Sequence, residues 1–393
     1  MSQIINYPVV YLQSDWNETL RLPNSEAWIS VKYRNETSIH GKINSCETTD
    51  NKPRLTITPE FSLISQTTNM LVVKHLQSEL VTAFVAPMKS YKVHNKAVYS
   101  VTGAENAMVV SSSEDDKIAV WDSRTGDELL TLQGHGGPAY KCRFFPSGTV
   151  VLTAGADGSL KVWSSETGIN PVTLAGHTMA VNDCVIIDKG RNVLSASKDG
   201  KVKLWDVGEA KCLADVLSTD GIINCCCIVS SPNVEAIANP REVATGDKLV
   251  VVGCESGFVQ CAHVGMREVM FNIKMDSPVN CCAALENNVL IGCEDGKIVL
   301  VSTETGTIIS EWWESASPVI SLASVSSSRF LAGRQDGACV LQSLDHPSVR
   351  VQLTGSNCDP IRDVSFNGRW VFTGCRDCQI RKYDYNQLAV HFK

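Results

Sequence analysis

The chain has 393 residues, room for two or three domains at about 150 residues each, and its 44% hydrophobic and 20% charged content is that of a globular protein with a large core. Thirty-five basic against 42 acidic residues give a net charge of −7 (35 − 42); the longest basic run is the pair Arg381-Lys382, so the electrostatic footprint of a nucleic-acid binder is missing. No apolar run approaches the ~18 residues of a membrane-spanning helix, and MSQIINYPVVYLQSDW lacks a basic start and is broken by Asp15, so neither a membrane nor a secretory route is expected. The 16 cysteines should then be reduced thiols in the cytosol or nucleus, and the sequons at Asn17 and Asn35 should go unmodified.

Along the first 82 residues, alternating apolar and polar positions at 27–33, 38–43, 55–58 and 70–76 predict strands of a small β-rich N-terminal domain, with a polar linker near 47–53. From about residue 83 a repeat takes over. The segments AGADGSLKVW and SASKDGKVKLW each place Asp-Gly between alternating runs, the strongest short hairpin signal, because the tight turn wants positive φ at its central residues. The frame recurs around residues 115, 157, 199, 256, 295, 336 and 377, at spacings of 42, 42, 57, 39, 41 and 41. That period is the one of four-stranded propeller blades, about 40 to 45 residues each. The expected fold is all-β: a seven-bladed propeller over 83–393 behind the N-terminal domain. The single long spacing puts an insertion at about 230–247, a loop on the face opposite the Asp turns, either solvated or in contact with a partner.

Three consecutive repeats share a polar set, Ser111/His94/Asp115/Trp121, Thr153/His135/Asp157/Trp163 and Ser195/His177/Asp199/Trp205. Hydroxyl, imidazole and carboxylate are the ingredients of a hydrolase triad, but a nucleophile is built once, and recurrence in successive repeats points to architecture. A hydrogen-bonded chain from the Trp ring N–H to the carboxylate should tie each blade together. In the later repeats the Trp position holds Ala262, Val301, Gln342 and Tyr383, and no His stands at the matching distance, so those blades should close by packing alone.

Cys375 and Cys378 form a C-x-x-C, but Cys378 occupies the turn position that Gly holds in sister repeats and no second ligand pair is in register. Most remaining cysteines fall on strands as small buried hydrophobes, and Cys261 with His263 gives two ligands without a third. Phosphate-loop, zinc-protease and dinucleotide motifs are absent from the sequence, so neither an enzyme nor a bound cofactor or metal is expected. Recognition is the function left to such a disc. The residues just before the turns should project from the turn face, and Glu114, Asp116, Lys198, Glu255, Glu294 and Arg376 are the candidate partner-binding residues. Glu255 and Glu294, on neighbouring blades, could form an acidic patch for a basic partner or be ordinary solvated charges. Trp312 and Trp313 must point to opposite faces of one strand, leaving one as an aromatic anchor or both as packing.

The repeats resemble WD40 repeats, with Gly134-His135, Gly176-His177, Trp121-Asp122 and Trp205-Asp206 as signature pairs. More narrowly, QSDW, EAW, CRFFPSG, GRNVLSASKDG, REVAT, LTGSNCDPI and CRDCQIRKY are similar to segments of the proteasomal ATPase-associated factor family, and they reach from the N-terminal region through the propeller. Cys378 departs from the Gly expected at its turn. The resemblance implies a non-catalytic chaperone for assembly of the proteasome 19S regulatory particle. Such a protein would bind the C-terminal domain of one ATPase subunit, of the regulatory subunit 8 type, would limit association with the core particle, and would be a monomer outside that complex. Two other readings stay open. Trp121-Asp122-Ser123-Arg124 resembles the W-D-x-R box of WD40 substrate receptors of cullin-type ubiquitin ligases, and a generic WD40 scaffold would carry the same repeats.

Overall fold

Each Asp turn joins the second and third strands of an antiparallel sheet, and seven such sheets follow one another round a central axis in a computed structural model, which describes residues 3–34, 36–46, 54–230 and 240–392. Blades 1 to 6 span 98–132, 139–175, 181–218, 223–274, 279–313 and 319–353. Blade 7 takes its three inner strands from Ile361–Phe366, Trp370–Cys375 and Ile380–Asp384, while its outer strand, Lys89–Tyr91, comes from the segment before blade 1. The ring is therefore locked by pairing Ile380 with Tyr91 and Lys382 with Lys89 across the two ends of the propeller.

The turns explain where glycine is needed. Gly158, Gly200, Gly257, Gly296 and Gly337 all have φ between 75 and 84°, and a Cβ on Gly296 would stand 2.0 Å from the Ser315 carbonyl oxygen of the loop packed over it. Blades 1 and 7 hold the same left-handed turn with Asp116 (φ 62°) and Cys378 (φ 68°).

Every innermost strand carries a β-bulge at the same point, between Val98 and Ser100 in blade 1 and at the matching residues in the other six. A bulge re-aims the extra side chain, and here it turns Tyr99, Tyr140, Asn182, Asn224, Asn280, Ile320 and Arg362 onto the wall of a central channel of about 460 Å³. The backbone groups freed there are taken up by polar side chains that link each blade to the next. Asp363 accepts from the Val101 amide (2.9 Å) and the Ser100 hydroxyl (2.7 Å), and Ser100 in turn accepts from the Cys142 amide at 3.2 Å. Arg143 donates to the Cys184 carbonyl (2.6 Å), and Asp183 accepts from the Cys226 amide (3.0 Å). Asn182, Asn224 and Asn280 donate to the carbonyls of Ile223, Val279 and Val319, and Ser321 donates to that of Ile361. These links run all the way round the ring.

The N-terminal segment is sewn to the rim. Strand β1 (Gln3–Asn6) pairs parallel with the outer strand of blade 5. Strands β2 (Val9–Leu12), β3 (Glu26–Lys32), β4 (Ile39–Cys46) and β5 (Arg54–Ile57) form a separate antiparallel sheet. Strands β6 (Phe61–Gln66), β7 (Met70–His75) and β8 (Val81–Val85) extend blade 6 into a seven-stranded sheet, β8 running parallel to Val349–Leu353. The division expected at residue 82 thus falls inside β8, and the expected linker at 47–53 lies outside the described residues.

Beneath this joint sits a buried ionic cluster. Glu314 faces Arg350 at 2.7 Å and Arg334 at 3.4 Å and accepts from Gln342. Arg334 also donates to the Gly296 and Ser317 carbonyls, and Arg350 reaches the Pro8 carbonyl at 3.0 Å. Removing the one carboxylate among two buried guanidinium groups leaves both without a counter-charge. Glu314→Leu is therefore expected to lower stability by about 3 to 5 kcal/mol, measured by chemical denaturation; a change within error would show that the cluster is not what fixes the joint.

Candidate partner-binding face

The face that carries the Asp turns is braced by the three polar sets. In blade 2, Trp163 Nε1–H donates to Thr153 Oγ1 (2.8 Å), which lies 2.7 Å from His135 Nε2, while His135 Nδ1 lies 2.9 Å from Asp157. Blade 3 repeats this with Trp205, Ser195, His177 and Asp199 at 2.8, 2.6 and 2.8 Å. In blade 1, Trp121 and His94 meet Ser111 at 3.1 and 2.8 Å, but His94 Nδ1 stands 3.3 Å from Asp115. In blades 2 and 3 a neutral imidazole with its proton on Nδ1 gives every group of the set a partner: the indole N–H donates to the hydroxyl oxygen, the hydroxyl donates to Nε2 and Nδ1–H donates to the carboxylate. Burial lowers the pKa of all three histidines, outweighing the pull of the aspartates. Burial alone would raise Asp157, but bonds from the Gly136 and Ser159 amides, the Ser159 hydroxyl and His135 hold it at about 2.

Of the last four blades, expected to close by packing alone, blades 6 and 7 do not. Blades 4 and 5 do rely on apolar side chains, with Ala262 and Val301 fully buried at the Trp position. In blade 6, Gln342 enters the Glu314 cluster, and the turn carboxylate Asp336 accepts from Tyr11 Oη at 2.9 Å, a side chain supplied by the N-terminal sheet. In blade 7, Tyr383 donates to the Thr354 carbonyl (2.6 Å) and Arg381 pairs with Asp377. Without a histidine, the turn aspartate of blade 6 takes its donor from a distant segment and that of blade 7 from its own third strand; the repeat frame gives no view of the distant partner.

On this face Glu114, Asp116, Glu255, Glu294, Gln335 and Arg376 are exposed, while Ala156 and Lys198 are half-buried. Glu294 accepts from Asn280 at 2.6 Å, and Arg376 pairs with Asp359 at 3.0 Å. The channel-mouth residues Tyr99, Tyr140 and Arg362 were missed in the sequence. Their signal is a polar or aromatic residue 15 to 17 positions before the turn Asp in five repeats, hidden because a bulge breaks the two-residue alternation.

Other candidates are engaged inside the molecule. Trp312 is buried, and Trp313 is covered by Arg34 (3.8 Å) and Lys297 (4.1 Å). Arg124 of the W-D-x-R segment folds back onto Asp122, with contacts from 2.5 to 3.1 Å that hold this carboxyl at about 2. Cys375 is buried, its thiol pushed up to about 12 by burial, and donates to the Asp359 carbonyl, whereas Cys378 Sγ lies at the turn. Both ring nitrogens of His263 are used, one with the Gly246 carbonyl and one by the Met266 amide. Among the described residues no group of three His, Cys, Asp or Glu could hold a metal ion. The insertion leaves on the face opposite the turns. Its described part docks through the Val243 amide on Asn192 (2.8 Å) and Glu242 on Arg267 (2.5 Å), and 231–239 lies outside the described residues.

The WD domain, G-beta repeat model matches 86–122, 126–164, 170–206 and 348–384. The first match begins before blade 1 and contains the closing strand of blade 7. The chain is 38% identical to proteasomal ATPase-associated factor 1 of Homo sapiens over 96% of its own length and 98% of that protein. It is 37% identical to the Bos taurus protein of that name and 36% identical to the Gallus gallus one, with the same coverage. The chain belongs to the proteasomal ATPase-associated factor 1 family. Because the family match runs nearly end to end, it takes in both the N-terminal sheets and the propeller.

Three outcomes follow for this scaffold. His135→Ala is expected to cost about 1 to 3 kcal/mol, read by chemical denaturation, by removing the imidazole that bonds both Thr153 and Asp157. In the unaltered protein, the midpoint of chemical denaturation should fall as the pH drops below about 6.5, because the unfolded chain takes up protons that the native imidazoles refuse. A second loss is expected below about pH 4, where Asp157 and Asp199, both held below their usual values, take up protons. A flat midpoint between pH 7.5 and 5 would contradict neutral, buried histidines. Cys378→Gly should leave the melting temperature equal or higher, since the left-handed turn penalises a Cβ by roughly 1 kcal/mol; a lower value would mean that the side chain packs usefully.

Proposed function

We propose that the protein is a non-catalytic assembly factor of the proteasome regulatory particle that binds the C-terminal domain of an ATPase subunit of the regulatory subunit 8 type. The observation that carries this reading is near-full-length similarity to proteins named proteasomal ATPase-associated factor 1. Physical chemistry fits a binding role: a rigid ring, a face of loops, and internal tetrads that explain the triad-like residues without chemistry. A disc seated beside an ATPase C-terminal domain would collide with the core particle, so binding and docking would exclude one another. The protein would act in cytosol or nucleus, as a monomer until it joins the complex.

The exposed Glu255 and Glu294 on neighbouring blades supply an acidic side for a basic surface of the subunit. Long-range attraction acts mainly on encounter, and its range shrinks to about 8 Å at 0.15 M salt. Glu255→Lys with Glu294→Lys is expected to slow association with the purified ATPase subunit about tenfold at low salt, with little change in dissociation. Surface plasmon resonance measures both rates. Unchanged association by a folded double variant would move the contact to another surface, and failure of the unaltered protein to bind base subunits would reject the reading itself.

A further inference from the structure

The blades opposite Glu255 and Glu294 carry a different chemistry. At the turn-face mouth of the channel, four side chains from four successive blades stand in a row. The Arg362 guanidinium of blade 7 lies 5.3 Å from the Tyr99 ring of blade 1. Tyr99 meets the Tyr140 ring of blade 2 edge to face at 5.4 Å and 88°. Lys198 of blade 3 places its ammonium 5.6 Å from the Tyr140 ring. The other basic groups of this wall are neutralised within the protein, Lys141 by Asp363 and Arg143 by Asp183. Arg362 and Lys198 are not: neither has an acidic partner or a hydrogen-bond acceptor among the described residues, and Arg362 Nε is buried with no partner. The hydroxyls of Tyr99 and Tyr140 are likewise unbonded. Glu114 and Asp116 lie near enough to act on Tyr99 electrostatically, yet neither bonds to Arg362.

A guanidinium carries five N–H donors in a fixed fork and no acceptor, and a carboxylate, with two oxygens in one plane, matches that fork bidentately. Two phenols and then an ammonium continue this row of donors along the mouth, while the ring faces hold both cations in place without using their N–H groups. We propose that the mouth lined by Arg362, Tyr99, Tyr140 and Lys198 is a binding site for a peptide carboxylate, supplied by an Asp or Glu side chain or by a chain terminus. Blades 4 and 5 present Glu255 and Glu294 on the turn face, whereas blades 7, 1, 2 and 3 present unpaired donors at the channel mouth, with Glu114 and Asp116 of blade 1 beside them. A matching partner offers an acidic segment to the mouth and basic groups to the carboxylates around it. This site stands on its own contacts and does not depend on which protein supplies the peptide.

The test uses the full chain, immobilised, and two random heptapeptide pools with blocked N-termini, one with free C-terminal carboxylates and one amidated. Retained peptides are sequenced for the unaltered protein, Arg362→Gln, Lys198→Gln and the Glu255→Lys/Glu294→Lys protein. Enrichment of Asp or Glu in the amidated pool assigns a side-chain carboxylate, and preferential retention of the free pool assigns a terminus; either supports the site if Arg362→Gln abolishes it. Individual retained peptides should lose about tenfold or more in affinity with Arg362→Gln and less with Lys198→Gln. Arg362→Gln should melt like the unaltered protein, and Arg362→Lys, which keeps the charge without the fork, should restore part of the binding. Retention of the same peptides by the unaltered protein and Arg362→Gln, or no acidic or terminal preference at all, overturns the proposal. The Glu255→Lys/Glu294→Lys protein should retain the same acidic peptides, so this site and the proposed ATPase contact fail separately.

Discussion

Seven sheets can form a ring only if their innermost strands converge on one axis, and that convergence forces backbone polar groups together in a narrow channel. The bulge in each inner strand is the local answer. It opens the pairing at one residue, turns that side chain onto the channel wall and leaves amides and carbonyls for the neighbouring blade. Asp363, Ser100, Asp183 and the three asparagines use those groups, so the polar lining that would otherwise be a desolvation cost becomes the seam between blades. The same geometry fixes what the mouth can display. Where asparagine stands at the bulge, its side chain is itself a link of the seam. Where tyrosine or arginine stands there, Ser100, Arg143 and Asp363 close the seam from nearby positions and the bulge side chain is displayed at the mouth.

The blades differ in how they hold their turns, and the differences follow the N-terminal segment. Blades 1 to 3 use an internal imidazole; blade 6 uses Tyr11 from the added sheet, and blade 7 uses its own Arg381. Where the added strands cover blades 5 and 6, the interior is also the most highly charged, with Glu314 between Arg334 and Arg350. An ion cluster of this kind contributes little over a well-packed apolar core, but it is unforgiving of misplacement. Here it spans blade 5, blade 6 and the Pro8 carbonyl, so it registers three parts of the chain against one another.

Much of the propeller can be read from spacing alone, because Asp-Gly between alternating residues dictates a hairpin wherever it occurs, and a constant period dictates one blade per hairpin. The tetrads are legible for the same reason: His135, Thr153, Asp157 and Trp163 recur at fixed offsets. What spacing does not carry is pairing between remote segments. Lys89–Tyr91 is too short to announce a strand, and its role depends on a partner nearly 300 positions away. Tyr11 and Asp336 share no local pattern, nor do Pro8 and Arg350. The N-terminal strands are visible as alternation at 27–33 and 70–76, but β8 adds to blade 6 through backbone bonds, which any sequence of suitable burial can make. The channel-mouth residues fall between these cases, at offsets that vary by two positions and at the point where alternation slips.

The closing strand has a consequence for the order in which the molecule is made. Strands β1, β8 and Lys89–Tyr91 leave the ribosome early, yet their partners lie at 308–313, 349–353 and 380–384. At about 5 to 20 residues per second, synthesis of the intervening chain takes roughly tens of seconds. Throughout that interval blades 1 to 4 can form while three earlier strands wait with open edges. A chain at that stage would be a spiral with one loose end, and the strand at 380–384, not the early strands, decides when that end is safe from pairing with another chain.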